Sequence, residues 1–287
     1  MAYKRIKDVV DASIMDGSDR TYSFRKAPSV TTNANYWFDL SSSPGNPIPK
    51  YWFDATPLTA VQVKQSTDGG IFHGANVSPK QKVLRQLLAV ANIVTPLPMP
   101  MILCDYLLYY PTIDGSNTDE QILTNNVGLP RHTSGEGVRI MAVSVANGNG
   151  GQTFTVNYTN SQGVSGRTAT SNQAGQQVIG TVINSNNITA SQSNAFMVLQ
   201  EGDTGVRSIE SVTMNGADIG LFTLLLVKPL AQFTLLSITA PVEVDYVKDF
   251  VVLPEIADDA YLNFICLPQG TLTNGFAIIG TITTTFH

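Results

Sequence analysis

Charge is what this chain of 287 residues has least of: Asp, Glu, Lys and Arg together supply 14% of it, against about a quarter in ordinary soluble domains. Hydrophobic residues supply 43%, so the low charge does not signal disorder, which combines low hydrophobicity with high net charge. The formal net charge is −5, and no basic cluster is longer than Lys4-Arg5 with Lys7. Phosphate backbones are therefore not attracted, which argues against nucleic acid as a direct partner.

Cysteine and histidine are scarce. Cys104 and Cys266 lie in the apolar runs Met101-Ile102-Leu103-Cys104 and Phe264-Ile265-Cys266-Leu267, where a thiol behaves as a small buried hydrophobe, and two thiols make no disulfide framework. His73, His132 and His287 are far apart and lack metal-ligand spacing, so no metal, no cofactor and no imidazole catalysis is expected. His132 has no identifiable orienting partner in the sequence. Short catalytic motifs fail as well. Gly163-Val164-Ser165-Gly166 has its second glycine one residue too early for a nucleophile elbow, and Gly148-Asn149-Gly150-Gly151 lacks the spacing of a phosphate loop. Asp203-Thr204-Gly205 follows Glu201-Gly202 where aspartic proteases carry apolar residues, and reads as a β-turn. The loop Asp114-Gly115-Ser116-Asn117-Thr118-Asp119-Glu120 gathers oxygen ligands without EF-hand spacing, which leaves calcium at 114–120 open. The chain reads as a non-enzyme.

Long hydrophobic runs are missing too. Ile219 to Ile238 is broken by Lys228 and Pro229, and Leu87 to Leu108 by Pro96, Pro98 and Pro100, so no membrane span is expected. Met1 to Asp8 lacks the apolar core of a secretory signal, and the expected location is a cytoplasm until assembly.

What is present divides the chain in two. Residues 1–60 have the character of an extended arm, with three prolines within 41–49. Tyr36-Trp37-Phe38-Asp39 precedes that stretch and Tyr51-Trp52-Phe53-Asp54 follows it, and the two copies hold both tryptophans. They read either as short strands packing onto the body or as aromatic anchors for a neighbouring subunit, since Trp and Tyr are enriched at interface hot spots. Tyr36, Trp37, Phe38, Tyr51, Trp52 and Phe53 are therefore interface candidates.

Residues 61–287 read as a β-sandwich domain. Ser78-Pro79-Lys80-Gln81 has the form of a capping box, and Val83, Leu84, Leu87, Leu88 and Ala91 recur at helical spacing, which predicts one helix over about 78–91. Beyond it the pattern changes to period two. A hairpin is predicted at 153–170, and strands at 101–110, 138–146, 178–184, 195–200, 207–214, 219–227, 232–239, 242–252, 261–267 and 277–286. The expected fold is all-β, an antiparallel sandwich of jelly-roll type with one short helix.

Two segments carry a resemblance. Tyr158-Thr159-Asn160-Ser161-Gln162-Gly163-Val164-Ser165-Gly166-Arg167-Thr168 and Leu199-Gln200-Glu201-Gly202-Asp203-Thr204-Gly205-Val206-Arg207-Ser208-Ile209, with Ser211-Val212-Thr213, resemble virion structural proteins of tailed phages. The resemblance covers a small part of the chain. It implies a particle component made in the bacterial host, such as a capsid decoration or cement protein that sits as a trimer on the shell and contacts the major capsid protein or another virion protein. Tail or vertex placement stays open. Arg167 and Arg207, each beside a glycine turn, could reach loop carbonyls or a carboxylate across a subunit contact, or pair within the chain. The alternative is a carbohydrate-binding sandwich that uses Trp37 and Trp52 as stacking platforms and is recognised by both rings lying exposed on one face.

Overall fold

Period-two alternation of apolar and polar side chains sets most of the strands, because successive residues of an extended chain face opposite sides. Thr153 to Asn160 is the plainest case, with Phe154, Val156, Tyr158 and Asn160 buried and the intervening residues half-exposed. The structure is a computed structural model that describes residues 5–146, 148, 151–172, 178–185, 194–249 and 253–287.

In chain order the described strands are β1 (Arg20–Lys26), β2 (Phe38–Asp39), β3 (Gly45–Asn46), β4 (Val61–Gln62), β5 (Lys82–Ala91), β6 (Met99–Asp114), β7 (Gln121–Ile122), β8 (Arg139–Ser144), β9 (Thr153–Asn160), β10 (Arg167–Asn172), β11 (Val206–Met214), β12 (Leu221–Leu235), β13 (Val242–Asp245), β14 (Tyr261–Cys266) and β15 (Ile278–Phe286). Three short helices accompany them: α1 (Ile6–Ile14), α2 (Gln65–Asp68) and α3 (Tyr246–Asp249). The fold is all-β. Its strands form three antiparallel sheets, ordered β13-β5-β15-β1-β3, β2-β14-β6-β12-β8 with β4 also on β6, and β10-β9-β11-β7.

The long pair β6 and β12 organises the core. Met99, Met101 and Leu103 of β6 pack with Phe233 and Leu235 of β12 against the first sheet. Leu108, Tyr110 and Ile113 pack with Leu224 and Leu226 against β9 and β11 of the third sheet. Cys104, Tyr106 and Tyr109 point the other way, into a separate cluster with Trp37 and Trp52. Bulges make this possible. Val227 pairs with Tyr106 but Leu226 with Leu108, so Leu107 is an extra residue that keeps Tyr106 and Tyr109 on one face. Pro229 lies at another register shift, where a missing N–H does no harm, and so the strand runs through it rather than ending there.

The helix expected over 78–91 is absent. Residues 82–91 are β5, paired with β13 on one side and β15 on the other. The register to β15 shifts between Thr283, opposite Gln86, and Thr284, opposite Leu84, which makes Arg85 an extra residue. A strand with one extra residue places Leu84 and Leu87 on the same buried face three positions apart, and this imitates a helical repeat.

The described part of 1–60, expected as an extended arm, is built into the sheets. β1 pairs with β15 along its whole length and also with β3, while β2 joins the central sheet beside β14. The proline-containing stretch is held by Lys26, whose buried ammonium donates to the carbonyls of Ser43 (3.0 Å), Pro47 (3.1 Å) and Ser41 (3.4 Å). Phe24, Phe38 and Leu40 are core residues, so the described part of 1–60 belongs to the body. Among the other expected strands, 195–200 has no strand, the described part of 178–184 makes only isolated bridges before a 3-10 turn at Ile183–Ser185, 219–227 and 232–239 are one strand, and 242–252 is β13 followed by α3, with 250–252 outside the described residues.

Candidate functional site: an aromatic pair held at the surface

The two Tyr-Trp-Phe-Asp copies meet in space and play different parts. Trp52 of the second copy donates its indole N–H to Asp39 of the first at 2.6 Å. Asp39 is fully buried and also accepts from the Tyr106 hydroxyl (2.7 Å), the Ser41 hydroxyl (2.8 Å) and the Ser41 backbone N–H (3.1 Å). Burial raises the Asp39 pKa, and these donors oppose it. Trp52 stacks on Tyr106 with ring centroids 5.5 Å apart, lies tilted on Tyr109 and meets Tyr261 edge-on, so it plugs the outer face of the central sheet.

With Trp52 turned inward, its two neighbours must turn outward. Tyr51 and Phe53 are 46% and 49% exposed, and their ring centroids are 5.6 Å apart. They flank a shallow groove with Ser42, Val145, Ile179 and Gly180. The loop is fastened on its far side: Asp54 accepts from the Tyr109 hydroxyl (2.8 Å) and Lys50 (2.9 Å), and Lys50 also pairs with Asp68 (3.1 Å). Of the first copy, Trp37 and Phe38 are buried and Tyr36 is half-buried. Of the six aromatic interface candidates, Tyr51 and Phe53 are thus the two that stand exposed. Trp37 and Trp52 are not exposed together on one face, so the two-ring sugar platform does not exist.

Arg167 and Arg207 serve the chain internally. Arg167 Nε donates to Asp203 (2.9 Å), which also accepts from the Tyr158 hydroxyl (2.6 Å) and the Asn160 amide (2.7 Å). The hydrogen bond from Arg167 is the main cause that holds the Asp203 carboxyl down to about 2. Ser161 N–H donates to Gly205 O (2.8 Å), so the two segments quoted for the phage resemblance are bonded to each other. Asp203 N–H donates to Gln200 O (3.0 Å), and Asp203-Thr204-Gly205 follows a β-turn. Arg207 Nε donates to Ser134 O (3.1 Å).

Other polar sites were invisible in the sequence. Arg131 and Asp105 form a buried ion pair, with Arg131 Nε to Oδ2 at 2.7 Å and a second bond from Nη2 to Oδ1, and Arg131 also donates to Val63 O (2.9 Å) and Tyr106 O (2.7 Å). His132 Nε2 lies 3.4 Å from Asp105 Oδ2, yet makes no hydrogen bond among the described residues. In the 114–120 loop, Asp114 accepts from Ser116 and Asn117 accepts from Asp119, so these oxygens are occupied by the chain's own donors. No group of three or more His, Cys, Asp or Glu among the described residues is placed to hold a metal. No described helix is long and apolar enough to cross a membrane.

No family model and no curated protein matches the chain. Among solved structures, the crystal structure of infectious bursal disease virus VP2 subviral particle is 11% identical, with a TM-score of 0.10 over 94% of this chain and 41% of that one. A likeness at that level carries no argument about fold or role.

Proposed function

We propose that this chain is a structural component of a tailed-phage particle, a capsid decoration or cement protein that self-assembles as a trimer, contacts the major capsid protein or another virion protein, and catalyses nothing. The observation that carries a contact role is the pair Tyr51 and Phe53, about half exposed on a loop that Trp52 and Asp54 fix from both sides. Aromatic rings gain most from leaving water, and rings already held in place lose little freedom on binding. The low charge of the chain suits contacts built from apolar and neutral polar groups rather than from ion pairs. The phage assignment itself rests on the resemblance at 158–168 and 199–213.

Two measurements test this reading. Mass spectrometry of gradient-purified particles should find the chain among the virion proteins, and its absence there would sink the phage assignment. The double variant Tyr51→Ser, Phe53→Ser should keep its fold and lose particle attachment or trimer formation in sedimentation. Sedimentation and attachment equal to the unaltered protein would remove the aromatic pair as the contact.

A further inference from the structure

A second site lies away from the aromatic pair, between β1, β5 and β15. Lys82 of β5 is 2% exposed and His73 beside it is fully buried. His73 Nε2 donates to Ala260 O (2.9 Å), which leaves Nδ1 as acceptor for the Lys82 ammonium (3.1 Å), and Lys82 also donates to Ala75 O (2.8 Å). An ammonium has three protons, and two are accounted for. No carboxylate lies within ion-pair distance of Lys82 among the described residues. Asp258 reaches it only through space, its oxygens being taken by the backbone N–H groups of Val77 (2.9 Å) and Ser78 (3.0 Å). Burial pulls the ammonium below its ordinary value, and Asp258 acts the other way.

A buried cation whose only partners are neutral is costly unless something further satisfies it. Lys82 lines a cavity of about 230 Å³ together with His73, Tyr22, Thr284 and Arg20. The hydroxyls of Tyr22 and Thr284 make no hydrogen bond to any described residue, so two more donors are free at the same cavity. Gly74 keeps the space beside the Tyr22 hydroxyl open: its φ is +92°, and a Cβ there would lie 2.5 Å from that oxygen. The rim is cationic, with Arg20 and Lys80 both over the ring of Phe286, at 5.6 and 5.3 Å from its centroid. Donors without acceptors, one of them charged, call for a ligand that only accepts.

We propose that this cavity binds a small oxyanion, a phosphate or carboxylate group, through Lys82, Tyr22 and Thr284, with Arg20 at its mouth. The test titrates the full chain with sodium phosphate and, separately, with sodium acetate, by calorimetry and thermal unfolding, against sodium chloride at equal ionic strength. Saturable binding with a rise in melting temperature is expected for at least one of the two, and which one identifies the group. Lys82→Met and Tyr22→Phe should each weaken that binding roughly tenfold or more, as the loss of a hydrogen bond to a charged group does. Tyr22→Phe removes only a half-exposed hydroxyl and keeps the comparison available if Lys82→Met fails to fold. No saturable binding of either anion, or unchanged affinity in folded Tyr22→Phe, overturns the proposal.

Discussion

Trp52 Nε1 sits 2.6 Å from Asp39 Oδ2, and this bond joins the two copies of one tetrapeptide. The repeat therefore does two jobs. One copy supplies a buried acceptor, and the other supplies the donor that seals it, so that Tyr51 and Phe53 are left outside.

Replacing Trp52 by Phe keeps a ring in the plug and removes the N–H. The buried Asp39 carboxylate then loses one of its four donors, at a cost of about 1–3 kcal/mol. Loss of the donor disfavours the ionised form, so the destabilisation should shrink as pH falls and the carboxyl takes up a proton. Urea unfolding at neutral and acidic pH checks both statements, and a cost that grew on acidification would contradict the second.

Arg131 and Arg207 should respond very differently to truncation. Arg131→Met leaves Asp105 buried and unpaired and is expected to cost about 3–5 kcal/mol, whereas Arg207→Ala removes one exposed bond to Ser134 O and should fall within about 0.5 kcal/mol. Comparable midpoints for the two variants in denaturant would contradict the assignment of Arg131 to the core.

Acid should act through Asp203. Its folded pKa of about 2 lies below the ordinary carboxylate value of roughly 4, so the stability it contributes is complete above that value and is lost as pH falls toward 2. In Asp203→Asn the deficit relative to the unaltered protein should therefore be full at neutral pH and narrow across that window. A deficit that stays constant from neutral pH down through that window would show that the charge contributes nothing.

Both thiols should be silent in the native state. Cys104 and Cys266 are fully buried, and burial raises both pKa values, so little thiolate exists and no reagent reaches it. An aromatic disulfide reagent should label neither until denaturant is added. Stoichiometric labelling of the folded protein would contradict the packing described for β6 and β14.

The sequence made the hairpin β9–β10 legible because Phe154, Val156 and Tyr158 alternate without interruption. It misled at β5, where the extra residue Arg85 turned a period of two into an apparent helical period. It also misled at β1, whose Arg20-Thr21-Tyr22-Ser23-Phe24-Arg25-Lys26 buries only Phe24 and Lys26 and carries too few apolar residues to read as a strand. The aromatic tetrapeptides were visible as a repeat, but not their division of labour. That division depends on Asp39, Trp52 and Tyr106 meeting across 67 residues of chain, which local patterning does not encode. Lys82 and His73 were equally hidden, since an ammonium buried among neutral acceptors looks in sequence like any surface lysine.

The pairing of β1 with β15 has a consequence for how the protein is made. Arg20 lies opposite Thr284 and Lys26 opposite Ile278, so the strand that pairs with β1 over its whole length is synthesised long after it. At translation rates of roughly 5–20 residues per second, β1 waits on the order of tens of seconds before its partner leaves the ribosome. Throughout that interval its backbone edge and Phe24 stand unsheltered, and chaperone binding to the nascent chain should be concentrated there. A sheet closed by two sequence-distant strands is also among the slower topologies to fold, which puts the hazard of wrong pairing in the interval between their synthesis rather than in the finished molecule.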